Sequence, residues 1–127
     1  MAELYAILDE NEIDGQGKDV IVLDTATVVL DHPTQNVPAG NYDFSYSYQV
    51  TTDTGNKDFY MSLEGSVVLA DMDVHLAKNN AGAYRDAYFF NLSWEGGPFD
   101  LQMVMRKKDT SFDLSCDFAE FSMKRRS

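Results

Sequence analysis

The stretch Tyr42-Asp43-Phe44-Ser45-Tyr46-Ser47-Tyr48-Gln49-Val50-Thr51 decides the fold class. Apolar side chains occupy every second position and polar ones fill the gaps, the period of a strand with one buried face. The next segment repeats the pattern, with Phe59, Met61 and Leu63 on one parity and Asp58, Ser62 and Glu64 on the other. Between them lies the turn signal Asp53-Thr54-Gly55-Asn56, so the two segments are expected to form an antiparallel hairpin.

Working outward, Tyr84 to Trp94 is rich in aromatics and ends at Gly96-Gly97-Pro98, a breaker that no strand interior carries. Leu101, Met103 and Met105 then alternate with polar neighbours, which predicts a second hairpin. In the last strand Phe112, Leu114, Cys116 and Phe118 share one parity, whereas Phe121 and Met123 have the other. An extra residue near Ala119 and Glu120 is therefore expected, as a β-bulge or a bend between sheets. Upstream, Val20 to Leu30 reads as one β-branched strand, bounded by Asp14-Gly15-Gln16-Gly17 and His32-Pro33. Ala2 to Leu8 and Val67 to Leu76 fit either a short strand or a helical turn. No segment sustains a 3.6-residue apolar period. The reading is an all-β chain, a single β-sandwich over residues 1–127, with jelly-roll topology preferred over an immunoglobulin-like order. Residues 1–19 are expected to include an N-terminal arm, and residues 124–127 form a basic C-terminal tail.

Composition narrows the function. The formal net charge is −11, which opposes broad attachment to nucleic acid or anionic membrane, so neither is expected as a partner. Residues 1–105 carry four basic against 17 acidic residues, while residues 106–127 carry six against four. That end is suited to docking on an acidic neighbour, including another copy of the chain. One cysteine, Cys116, excludes an intrachain disulfide. The first residues lack a basic stretch followed by a long apolar run, and no window approaches the roughly 18 consecutive apolar residues of a membrane span. A soluble protein made in the cytoplasm, without a signal peptide, is expected.

Chemistry-bearing patterns are sparse. Asp9 to Gly15 resembles the opening of a calcium loop, but its closing acid would fall at Ile21, so no metal is expected. His32 and His75 lie far apart without zinc-like spacing. Cys116 follows the apolar parity of its strand and reads as a small hydrophobe. No nucleophile elbow or phosphate loop occurs, and neither a catalytic residue nor a cofactor is assigned. Asn91-Leu92-Ser93 matches a glycosylation acceptor but sits inside a predicted strand. The aromatics are more informative. Tyr42, Phe44, Tyr46 and Tyr48 read as core, whereas Tyr60, Tyr88, Phe90 and Trp94 put aromatic side chains on a second face, which a domain of this size needs only if that face meets a partner. Those four residues, with Lys124, Arg125 and Arg126, are the candidate interface.

From Val37 to Lys124 the chain resembles small β-sandwich virion proteins of tailed bacteriophages: head-decoration, head-fibre and tail-appendage modules. The resemblance rests on Val37-Pro38-Ala39-Gly40-Asn41-Tyr42 leading into an aromatic strand and on Asn56-Lys57 before Phe59-Tyr60. It rests also on Gly96-Gly97 followed by Leu101 and Arg106-Lys107-Lys108-Asp109, and on the closing strand Leu114 to Lys124. It implies a structural role in the virion, often as a homotrimer, with no cofactor and no catalytic residues to carry over. A carbohydrate-binding module for host-surface attachment, with a surface glycan as partner, is the second reading.

Overall fold

The computed structural model describes residues 12–76, 82–108 and 110–126. Eight strands run as β1 (Glu12–Val22), β2 (Thr27–Val37), β3 (Gly40–Thr52), β4 (Lys57–Gly65), β5 (Leu69–Leu76), β6 (Gly82–Trp94), β7 (Gly97–Lys107) and β8 (Leu114–Arg125). They build two antiparallel four-stranded sheets, ordered β1-β8-β3-β6 and β2-β7-β4-β5. Only β4 and β5 are neighbours both in sequence and in a sheet; every other connection carries the chain from one sheet to the other. This wrapping is a jelly roll, the expected fold class.

The alternation in β3 is realised as read: Tyr42, Phe44, Tyr46, Tyr48 and Val50 are buried, and the residues between them face outward. They meet Phe59, Met61 and Leu63 of β4 and Phe99, Leu101, Met103 and Met105 of β7 across the sandwich, in one continuous core. Tyr48 and Phe59, for example, pack edge to face at 6.0 Å.

The two expected hairpins are corrected. β3 and β4 lie in opposite sheets, as do β6 and β7. A two-residue hairpin turn of the favoured type needs positive φ at both central residues; in the β3–β4 link Asn56, at 56°, is the residue that has it. The donors of that link are spent elsewhere: the Asp53 amide donates to the Asp113 carbonyl (3.3 Å) and the Asn56 amide to the Leu76 carbonyl (2.8 Å). Strands facing each other across a core show the same alternation as strands paired side by side, so periodicity does not separate the two cases. The β6–β7 link turns through Gly96 and Gly97, at φ 93° and 111°, values that side chains disfavour.

Three boundaries also differ. Val20 to Leu30 is not one strand: the chain turns at Leu23 to Ala26, where Thr27 Oγ1 accepts from the Leu23 amide at 3.1 Å and donates to the Thr25 carbonyl at 2.9 Å. Residues 12–19 of the expected arm belong to β1, and residues 1–11 lie outside the described residues, as does Ala2 to Leu8. Lys124 and Arg125 of the expected tail are the last residues of β8.

The bulge in β8 exists, at Asp117 rather than near Ala119 and Glu120: Gln49 pairs with Phe118 and Val50 with Cys116, leaving Asp117 as the extra residue. Its carboxylate accepts from Gln49 Nε2 (2.9 Å) and Thr51 Oγ1 (2.6 Å), which holds the irregularity in place. As a result Cys116, Ala119, Phe121 and Met123 all point inward, and Phe118, expected with the core parity, stands on the outer face beneath the Arg85 guanidinium at 5.0 Å.

Candidate assembly edge

A sandwich of two four-stranded sheets has four edge strands, here β1, β2, β5 and β6. Unpaired edge amides and carbonyls invite another chain, and natural sheets blunt them with bulges, prolines, charge or short length. β1 keeps its register with β8 but carries Asp19 in a left-handed conformation, at φ 54°, which distorts its edge locally. β2 carries Pro33 and loses register between Val28 and Leu30 and again between His32 and Gln35. β5 is 8 residues long and presents Asp71, Asp73 and His75 outward. None of these devices occurs in β6. It runs 13 residues and pairs with β3 without a break from Thr52↔Gly82 to Gly40↔Trp94. Its two charges are occupied internally, Arg85 over Phe118 and Asp86 accepting the Tyr48 hydroxyl at 3.1 Å. Among the described residues no strand pairs with its outer edge.

The register corrects the expected second aromatic face of β6: Tyr88, Phe90, Leu92 and Trp94 lie on the inner face, beside Tyr46, Phe44, Tyr42 and Gly40 and on the same side as the core. Tyr88 stacks on Tyr46 at 5.1 Å and Phe90 on Phe44 at 4.9 Å; Trp94 meets Phe99 edge to face at 5.3 Å and donates its indole N–H to the Val37 carbonyl at 3.1 Å. These side chains are not covered as those of β3 are. Tyr88 is 40% exposed, and Tyr84, Phe90, Leu92 and Trp94 are half-buried. On the same long side of the sandwich Met72 and Val74 of β5 are half-buried too. The β5/β6 side is therefore a seam where the core reaches solvent. Behind the seam on β3, Tyr46 is pushed up to about 12, chiefly by burial and then by Tyr88 and Asp86, and Tyr48 is raised further by burial and the Asp86 carboxylate.

The remaining candidate residues sit elsewhere. Arg126 lies at the end of the molecule that carries Trp94, its amide donating to the Asn41 carbonyl (2.6 Å) and its guanidinium reaching Asp43 (3.3 Å) and Asn91 of β6 (3.4 Å). Lys124 is in register with Asp43 on the outer face, and Arg125 lies close enough to Tyr42 to oppose the effect of burial on its phenol. Tyr60 is separate, on the outer face of the other sheet, covered by Arg106 at 4.0 Å and Lys108 at 5.8 Å. Around it run the pairs Arg106–Asp71 (3.0 Å), Lys108–Asp73 (3.1 Å) and His75–Asp58 (2.6 Å). The His75 hydrogen bond holds the Asp58 carboxyl below its ordinary range. Met72 and Val74 were not singled out by sequence, although Met72, Val74 and Leu76 alternate with Asp71, Asp73 and His75 and so carried the signal.

Groups suited to chemistry are dispersed. His32 packs edge to face on Phe121 at 5.3 Å and shares a hydrogen bond with Gln35 at 3.2 Å. Cys116 is buried and its thiol is pushed up to about 12 by burial and then by Asp117, which leaves it protonated at neutral pH. Among the described residues no group of three or more His, Cys, Asp or Glu side chains is placed to hold a metal ion, and no helix is long and apolar enough to cross a membrane.

No protein family matches the sequence, and no curated protein sequence matches it. Solved structures do share the fold. The chain is similar to one from the infectious bursal disease virus Gx strain, with a TM-score of 0.53 and 5% identity, over 95% of this chain and 31% of that one. It is similar also to VP2 of an infectious bursal disease virus subviral particle, with a TM-score of 0.52 and 6% identity, over 90% and 33%. The globular domain of zebrafish complement 1qA gives a TM-score of 0.50 and 8% identity, over 92% and 98%. The chain spans about a third of the length of the two viral chains. At these identities the likeness is one of fold.

Proposed function

We propose that this chain is a non-enzymatic structural module of a virus particle, held to further copies of itself and to neighbouring particle proteins along the β5/β6 side. The observation that carries the reading is β6, a 13-residue edge free of proline, lysine and register breaks, backed by aromatic side chains that the core leaves half exposed. An extended edge of about 43 Å, with an apolar seam beside it, offers main-chain hydrogen bonds and apolar area together, the two contributions that strand addition uses. The fold shared with viral capsid chains supports a place in a particle. The finer assignment, decoration or cementing of the capsid or attachment to the tail of a tailed bacteriophage, rests on the sequence resemblance, as does a trimer. A closed trimer requires a heterologous contact in which the β6 side of each copy meets a different surface of the next.

Light scattering coupled to size exclusion tests the association. The wild-type chain is expected to run as an oligomer at micromolar concentrations. Tyr88→Lys places a charge in the seam, a device by which natural edges avoid pairing, and is expected to run as a monomer with its β-sheet circular dichroism unchanged. Wild type and variant both running as monomers would overturn the self-association.

A further inference from the structure

The outer face of the β1-β8-β3-β6 sheet has a relief that the assembly reading does not use. Its register aligns side chains in transverse rows: Asp14, Ser122, Ser45 and Phe89 in one, Gln16, Glu120, Ser47 and Ala87 in the next. Beyond the second row stand larger groups, Lys18, Phe118, Gln49 and Arg85. Ser122, Ser45, Ser47 and Ala87 are small, so the sheet surface dips among them into a shallow trough of about 530 Å³, lined by Asp14, Gln16, Ser45, Ser47, Glu120 and Ser122 together with Gly15, Tyr46, Ala87 and Phe121. With strands about 4.8 Å apart, each row is about 14 Å long, and rows lie about 7 Å apart. Phe89, at one end of its row, is 67% exposed, and at the far corner Phe118 lies under Arg85.

We infer that this trough binds a neutral oligosaccharide. Its polar lining is the serine hydroxyls, the Gln16 amide and two carboxylates, able to accept from a ligand that offers many O–H donors, and Gly15, Tyr46, Ala87 and Phe121 complete it with less polar surface. Ser47 Oγ already donates to Glu120 Oε1 at 3.0 Å, which fixes that carboxylate at the trough floor. Phe89 is not part of the lining itself but is paired with Ser45 in register, so its exposed ring stands at the end of the row as an apolar platform next to the acceptors. That combination suits a pyranose ring, with its C–H face on the aromatic and its hydroxyls on the polar row. The charge of the lining selects against other ligands. Asp14 and Glu120, in a chain of net charge −11, repel sulfated or sialylated glycans and nucleic acid. A volume of about 530 Å³ lies within the range of small-ligand sites. The inference does not rest on self-association, because the lining belongs to a single copy.

The test is an amide NMR titration of the Tyr88→Lys chain, which removes the self-association variable, with neutral oligosaccharides of glucose, xylose, mannose and galactose and with heparin fragments as the anionic control. At least one neutral oligosaccharide is expected to shift the amides of Ser45, Ser47, Phe89 and Glu120 with a Kd of about 1 mM or tighter, and heparin to shift none. Phe89→Ala, at an exposed position, and Glu120→Gln are each expected to weaken that binding about tenfold while leaving the thermal midpoint near wild type. If no neutral oligosaccharide shifts the trough amides, or if both variants bind like their parent, the inference is wrong. A monomeric wild type would overturn the assembly reading and leave this result standing.

Discussion

The two long sides of the sandwich are built from the same chain under the same wrapping, yet one is shut and the other is open. On the β1/β2 side the sheets converge until an added Cβ on Gly17 would stand 1.8 Å from the Val29 carbonyl oxygen. Gly15, one pleat earlier, lies against the Phe121 ring, and His32 closes over the same ring. On the β5/β6 side Tyr84, Tyr88, Phe90, Leu92, Met72 and Val74 all remain partly exposed. The difference teaches that a jelly roll this small closes one side through glycine and a direct β1–β2 turn. The other side relies on side chains reaching across a gap. A partner on the open side would bury what intramolecular packing leaves half covered.

Substitutions at matched positions sharpen that contrast. The largest effect is expected on the closed side, where Gly17→Val forces a branched side chain into backbone and destabilises the fold by about 3 kcal/mol or more; a chemical denaturation curve gives the value. On the open side Phe90→Ala removes a half-buried ring stacked on Phe44 and is expected to cost about 1 to 2 kcal/mol in the monomer, below the roughly 3 to 5 kcal/mol typical of a fully buried Phe. If Phe90→Ala costs as much as Gly17→Val in a monomeric background, the open side is as firmly packed as the closed one and the contrast fails.

How much of this was legible in the sequence follows from what each signal encodes. Period two reports which residues share a face, and for β3 and β4 that was enough to name the core. It carries no information on which strand lies beside which, so both connections that cross the sandwich read as hairpins. The parity change in the last strand announced a bulge. Its position was hidden because Phe118 fits the apolar parity equally well, and only Asp117, tied to Gln49 and Thr51, shows where the extra residue is absorbed. Tyr88, Phe90 and Trp94 share one strand and one face, but it is the inner face, packed on Tyr46, Phe44 and Phe99, because period two does not say which parity of an edge strand turns toward the core. Tyr60 was joined to them by residue type, and the structure puts it under Arg106 on the opposite sheet. Nothing in the sequence marks the trough, since its serines become a depression only when the register of four strands sets them side by side.

The central claim is that the outer edge of β6 receives another chain, and hydrogen exchange reads that edge directly. Exchange of the β6 amides, Gly82 to Trp94, should be measured by mass spectrometry across a series of protein concentrations, with the β1 amides, Glu12 to Val22, as the internal reference. The outward-facing half of the β6 amides is expected to slow as concentration rises and to return to fast exchange in Tyr88→Lys, while β1 exchanges alike throughout. If the β6 amides exchange at one rate at all concentrations, and the same rate in the variant, no chain adds to that edge and the account is contradicted.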